Sequence, residues 1–130
     1  MPKRYTLTCL AAVALYLTVV GASNAAPSAP RGTEAMLVRM IEAVKAESYD
    51  AFLTDANAHL KSQLTRQQFE GICGLYTAPL RKGYRLEYLG QLRQQGTIVF
   101  LWKITVVDSQ DETLLRMVTK DGKVHGFGIQ

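Results

Sequence analysis

Eleven Asp or Glu residues, two His and two Cys are available for acid–base, metal or thiol chemistry in this chain of 130 residues. Asp55 and His59 stand four apart, so on a helix they share one face and are the only acid–base dyad the spacing offers; an ordinary solvated pair of helix-surface groups has the same spacing. His125, near the C-terminus, is either a base or ligand or an exposed strand residue. Cys73 sits between Gly71 and Gly74, as a reactive thiol or a small packing residue, and the two glycines are expected to permit a close approach of helix and sheet rather than to bind phosphate. It has no second thiol nearby and the histidines are not closely paired, so no metal site is indicated. No Gly-x-Ser-x-Gly nucleophile motif occurs. No glycine-rich strand-to-helix loop occurs to hold a phosphate. The residues therefore indicate no cofactor. Tyr84, Tyr88 and Trp102 form the one aromatic group that could enclose an apolar ligand, and large aromatics fill small cores equally well.

Several of these residues are not part of the expected working domain. Lys3 and Arg4 precede an apolar run of 11 residues, Leu10–Val20, and small residues follow at Ser23 and Ala25. This is the pattern of a secretory signal peptide cut after Ala25. The apolar run is short for a membrane span of ~20 residues, so no stable anchor is expected after cleavage. Cys9, preceded by Thr8, is poorly placed for lipidation. Removing residues 1–25 takes Lys3, Arg4 and Cys9 and leaves 105 residues with a formal charge of +2. The densest basic pair is Arg81-Lys82, which makes nucleic acid a poor partner. Cys73 is then the single cysteine in an exported chain, where disulfides would otherwise be allowed. The expected location is secreted or periplasmic.

After a Pro-rich leader, residues 26–32, one domain is expected over residues 33–130. Its first half has helical periodicity. Thr33 is a candidate N-cap, followed by Leu37, Met40, Ile41 and Val44 on one face. Ser48 caps a second helix with Tyr49, Phe52 and Leu53. Thr65 and Gln68 form a capping box ahead of Phe69, Ile72, Cys73 and Tyr76, and Pro79 and Gly83 mark the end. From Tyr84 the period becomes two. Four strands are expected over Tyr84–Arg93, Thr97–Val107, Glu112–Thr119 and Val124–Ile129, joined by short connections as an antiparallel meander. Asp121-Gly122 is the strongest hairpin signal.

A three-residue loop at Gln94-Gln95-Gly96 would set Tyr88 against Trp102, Leu86 against Ile104 and Leu92 against Ile98. Two-residue turns at Ser109-Gln110 and Asp121-Gly122 would set Met117 beside Trp102 and Gly126 beside Met117. One face then carries Tyr84, Leu86, Tyr88, Phe100, Trp102, Ile104, Leu115 and Met117, with Gly126 and Gly128 leaving room beneath them. This face should meet the helices. The other face carries the row Glu87, Lys103, Arg116 and Phe127, with Leu89, Leu101, Thr105, Val118 and His125 around it. Glu87 opposite Lys103 is a favourable cross-strand pair, and a slip of one residue would bury Lys103 and Arg116.

Ala46–Phe52 (AESYDAF), Leu64–Phe69 (LTRQQF), Gly83, Phe100–Lys103 (FLWK) and Asp121–Gln130 (DGKVHGFGIQ) give the chain a texture that resembles small exported bacterial domains of unknown function with the nuclear-transport-factor-2-like fold. The resemblance spans residues 33–130. It implies an α+β cone of three N-terminal helices on a curved four-stranded antiparallel sheet. The chain is short for the extra early hairpin many members carry, and a cystatin-like helix on a sheet is the alternative. Enzymes of that fold resemble one another in placing an Asp or a His–Asp pair inside an apolar pocket. Here the inner face carries neither, and only Asp50, Asp55 and His59 on the second helix could approach a cone mouth. The Gln-x-Val-x-Gly motif of cystatin inhibitors is absent. Two functions remain from different classes. One is a non-enzymatic binding domain acting through the sheet face of Leu89, Leu101, Lys103, Arg116 and Phe127, which the resemblance suggests as a homodimer interface. The other is a small-molecule carrier, isomerase or hydrolase-like enzyme with Tyr84, Tyr88 and Trp102 around an apolar ligand and Asp55 as acid or base.

Overall fold

The computed structural model describes residues 26–130, and the signal-peptide pattern lies outside them. Among these residues the order is α1 (Thr33–Lys45), α2 (Tyr49–Phe52), α3 (Ala58–Gln63), α4 (Arg66–Arg81), β1 (Tyr84–Gln94), β2 (Thr97–Val106), β3 (Glu112–Lys120) and β4 (Lys123–Ile129). The strands pair in sequence order as an antiparallel meander, with the helices on one face, an α+β arrangement of the expected kind. The second helix, expected to run from Ser48 through His59, is broken in two: α2 ends at Phe52 and a separate short helix, α3, begins at Ala58. Asn57 accepts its Leu60 amide as an N-cap.

The helices lock to one another end to side. Leu37, Met40, Ile41 and Val44 of α1 are buried at helical spacing, as are Phe69, Cys73, Thr77 and Leu80 of α4. The last carbonyls of α1 have no partner within their own helix. Thr77 Oγ1 donates to Val44 O at 2.7 Å, and Arg81 donates to Lys45 O from Nε at 2.9 Å and Nη2 at 2.7 Å. The chain then leaves α1 through a Schellman turn. Ser48 N–H donates to Ala43 O and Glu47 N–H to Val44 O, with Glu47 left-handed at φ 53°. At the other end of α1 the expected Thr33 cap is replaced. Gly32 holds the capping position with φ 82° and no side-chain bond, and Thr33 is buried as the first helical residue. The caps at Ser48 and Thr65 form as expected, the latter with both reciprocal bonds of a capping box. Gly71 and Gly74 were expected to admit a neighbouring element. They instead lie on the exposed side of α4, with nothing near a would-be Cβ.

In the sheet, Tyr88 faces Trp102, Leu86 faces Ile104 and Glu87 faces Lys103. The extra residue assigned to the first turn lies in the strand instead. Leu89 is a bulge, Gly90 follows it at φ 145° opposite Leu101, and Leu92 meets Val99 rather than Ile98. The turn shrinks to Gln95-Gly96, both left-handed as a two-residue hairpin of this hand requires. Between β2 and β3 the pairing slips by two residues, so Trp102 meets Leu115 and Phe100 meets Met117. A slip of two preserves each side chain's face.

β4 departs most. The Asp121-Gly122 turn forms and Thr119 pairs with Val124, but a bulge at His125 then shifts the register. Met117 meets Phe127, while Gly126 and Gly128 oppose Val118 and Arg116. Phe127, expected on the outer face, is therefore on the inner one, edge-on to Phe52 at 5.5 Å between ring centres. The two glycines, expected inside, face outward. The bulge sits where β4 is gripped from the side. Val124 forms a parallel bridge with Ala56, its N–H donating to Asp55 O and its O accepting from Asn57 N–H, both at 2.8 Å.

Candidate functional site

The cone is filled. Trp102, Phe52, Phe69, Leu37, Met40 and Met117 are almost wholly enclosed between the sheet and the helices. Tyr88 packs against Trp102 at 5.4 Å between ring centres, and Phe100 lies on the indole's other flank at 6.0 Å. Tyr84 stands four residues earlier on β1, its hydroxyl toward Glu42 and its ring beneath the Lys45 ammonium. Tyr84, Tyr88 and Trp102 therefore do not close around a shared space. Burial, and then Glu42, raise the Tyr84 hydroxyl above its ordinary range; burial raises Tyr88. Trp102 Nε1 is buried without a hydrogen-bond partner. Where the sheet splays from α1 and α4, an apolar cleft of about 40 Å³ opens among Ile41, Tyr76, Leu80, Ile104, Phe127 and neighbours. Small-molecule sites run to ~300–1,000 Å³.

The dyad is not assembled. Asp55 lies in the loop before α3 rather than on a helix with His59. Its Oδ2 accepts from Arg39 Nε at 2.8 Å, and that bond raises the guanidinium further above its usual range. His59 turns to the sheet instead and stacks on His125, ring centres 4.2 Å apart and planes 12° from parallel. His125 is not a free strand residue, because its Nδ1 lies 2.9 Å from Asn57 Nδ2. Asn57 was not singled out in the sequence. Its signal was present, since an Asn three residues before Leu60 at a helix start is a common N-cap. Cys73 is buried against α1 with Sγ toward Val44 O, and burial raises its thiol pKa, which disfavours the reactive thiolate. Among the described residues no three His, Cys, Asp or Glu side chains converge as metal ligands would.

The outer sheet face holds the remaining candidate surface. Its centre is apolar: Leu92, Val99 and Val118 lie in one row across the sheet and Leu101 in the next. Val99 is only 5% exposed although it faces away from the helices, covered by its sheet neighbours. Leu89 and Leu92 at the β1 edge are about half exposed. Charges of both signs surround that centre, and Arg85, in register with Thr105 and Glu112, stands among the glutamates. At one end Lys103 Nζ bridges Glu87 at 2.8 Å and Glu112 at 3.0 Å. These bonds raise the Lys103 ammonium and hold the Glu87 carboxyl below its usual range. Arg116, in the row of Leu101, shares a shallow groove with Lys120 and His125, lined also by Gln94, Thr97 and Val99. Arg116 pairs with Leu101 rather than Lys103, its guanidinium over Gly128. Of the five residues expected on this surface, Leu89, Leu101, Lys103 and Arg116 are there and Phe127 is not. Leu92, Val99 and Glu112 join them; the bulge at Leu89 hid Leu92, whereas Val99 and Glu112 follow from the alternation of β2 and β3.

No family model matches the chain, and no curated protein matches it. Three solved structures resemble it in architecture. An NTF2-like protein of unknown function from Cytophaga hutchinsonii is 7% identical, with a TM-score of 0.41 over 80% of this chain and 93% of that one. TerC, crystallised with polyporic acid, is 10% identical, with a TM-score of 0.44 over 75% of this chain and 88% of that one. An uncharacterized cystatin-fold protein from Novosphingobium aromaticivorans is 9% identical, with a TM-score of 0.39 over 74% of this chain and 95% of that one.

Proposed function

We propose that this protein is an exported, non-enzymatic interaction domain that binds through the outer face of its sheet, with a second copy of itself as the first occupant. Export rests on the N-terminal pattern of Lys3, Arg4 and Leu10–Val20. The observation that carries the binding reading is the outer face itself, whose apolar Val99, Leu101 and Val118 lie between the Glu87–Lys103–Glu112 cluster and Lys120, with Arg116 beside Leu101. A two-fold axis sets this patch on the same patch of a second copy, which is how an isologous interface is built. An apolar centre with a polar rim is also the usual anatomy of an interface. The alternative of a carrier or enzyme using the cone would have a cleft of about 40 Å³ to work with, and its candidate base Asp55 is held by Arg39.

Sedimentation velocity of residues 26–130 tests the proposal. The expected result is a dimer that Leu101→Glu and Arg116→Glu convert to monomer while circular dichroism stays unchanged. A wild-type monomer at all concentrations, or a dimer indifferent to both substitutions, would overturn it.

A further inference from the structure

His125 is held by a side chain that has no freedom to change its role. Asn57 caps α3, and its Oδ1 accepts the Leu60 backbone N–H at 3.0 Å. A backbone amide can only donate, so the oxygen of Asn57 must face Leu60 and its NH2 must face His125. That NH2, 2.9 Å from Nδ1, requires a lone pair there. The helix cap thus fixes the His125 tautomer: Nδ1 bare, the ring proton on Nε2, the imidazole neutral. A second proton on the ring would set donor against donor. The stacked His59 ring, 4.2 Å away, makes the charged state worse still when it too is protonated. The other charged groups facing His125 are Arg116 and Lys120 of β3, both cationic, and no carboxylate lines either groove beside it. Asp55 is tied to His125's neighbour through its backbone, and its carboxylate is taken by Arg39.

These side chains flank the two backbone bonds that hold the segment before α3 on the edge of β4, from Asn57 N–H to Val124 O and from Val124 N–H to Asp55 O. We propose that Asn57, His59 and His125 form an acid-released latch that fastens α3 to the β4 edge. A proton on Nδ1 breaks the bond from Asn57 to His125, so acidification favours opening. Opening frees the strand edge at Val124 and uncovers Leu60, which is 7% exposed when closed, beside Phe127. An unpaired edge beside apolar side chains is a surface that can add a strand from a partner.

Amide hydrogen exchange by NMR at pH 7.5 and 5.0, each rate expressed relative to the intrinsic rate at that pH, reads the latch at the Asn57 and Val124 amides. Protection there should fall about tenfold on acidification, the loss of roughly one hydrogen bond, while the Cys73 amide in α4 keeps its protection. Asn57→Asp caps α3 equally well but presents an acceptor to Nδ1, so it should abolish or reverse the fall. His125→Gln should make protection independent of pH. Protection unchanged in the wild type, or falling as far in either variant, would overturn the proposal. So would nitrogen shifts at pH 7.5 that place the His125 proton on Nδ1, a readout that does not depend on the variants folding.

Discussion

Glu47 shows how one residue can carry strain that its neighbours hold in place. It takes the left-handed position of the α1 Schellman turn at φ 53°, where Gly is the usual occupant. An L-residue there costs ~1–2 kcal/mol. Its return is an ion pair with Arg81 at 3.6 Å, between side chains each more than half exposed, and such pairs contribute ~0–1 kcal/mol. Glu47→Gly relieves the strain and gives up the pair and some unfolded-state entropy. A net gain of about 0.5 kcal/mol follows, read as a melting temperature a few degrees higher by calorimetry. The chemistry-bearing residues follow the same logic of neighbours. Asp55, His59 and His125 were legible as candidates from type and spacing. Their actual partners, Arg39, His125 and Asn57, come from three different elements. No spacing within a single segment could have paired them.

At the scale of elements, α4 and the strands were readable because each has a clear period and clear punctuation. The Thr65–Gln68 box, Ser48 and Asp121-Gly122 act over two to four residues, and all three form. The break between α2 and α3 was missed because residues 53–57 hold no Gly or Pro to punctuate it. The glycines of α4 were misread for a different reason. Gly71 and Gly74 are compatible with a close approach or with solvent, and only the packing of Phe69, Cys73 and Thr77 inward puts them outside. Since both have open space at the Cβ position, Gly71→Ala and Gly74→Ala should each stabilise the domain by ~0.5–1 kcal/mol through helix entropy. Urea denaturation should show the midpoint rising with each, nearly additively, at constant m-value. A loss of stability in either would mean that the helix face is covered.

At the scale of the whole molecule, the bulges decide the faces. Phe127 is the sharpest case, because one extra residue at His125 moves it from the outer face to the core beside Phe52. Phe127→Ala should therefore cost about 2–4 kcal/mol, as core truncations do, rather than the few tenths of a surface change. Denaturant unfolding distinguishes the two. By itself, the sequence determined the α+β class, the meander order, the caps at Ser48 and Thr65 and the identity of the inner-face residues from Tyr84 to Met117. Those rest on hydrophobic period and turn chemistry, which act between near neighbours and are robust to slips of two. The tertiary structure alone decided the positions of the bulges at Leu89 and His125, the filling of the cone and the pairing of the histidines. A bulge costs little locally and is placed by what grips the strand from the side, here Asp55 and Asn57 on Val124. Those contacts join residues nearly 70 positions apart, and no local pattern records them.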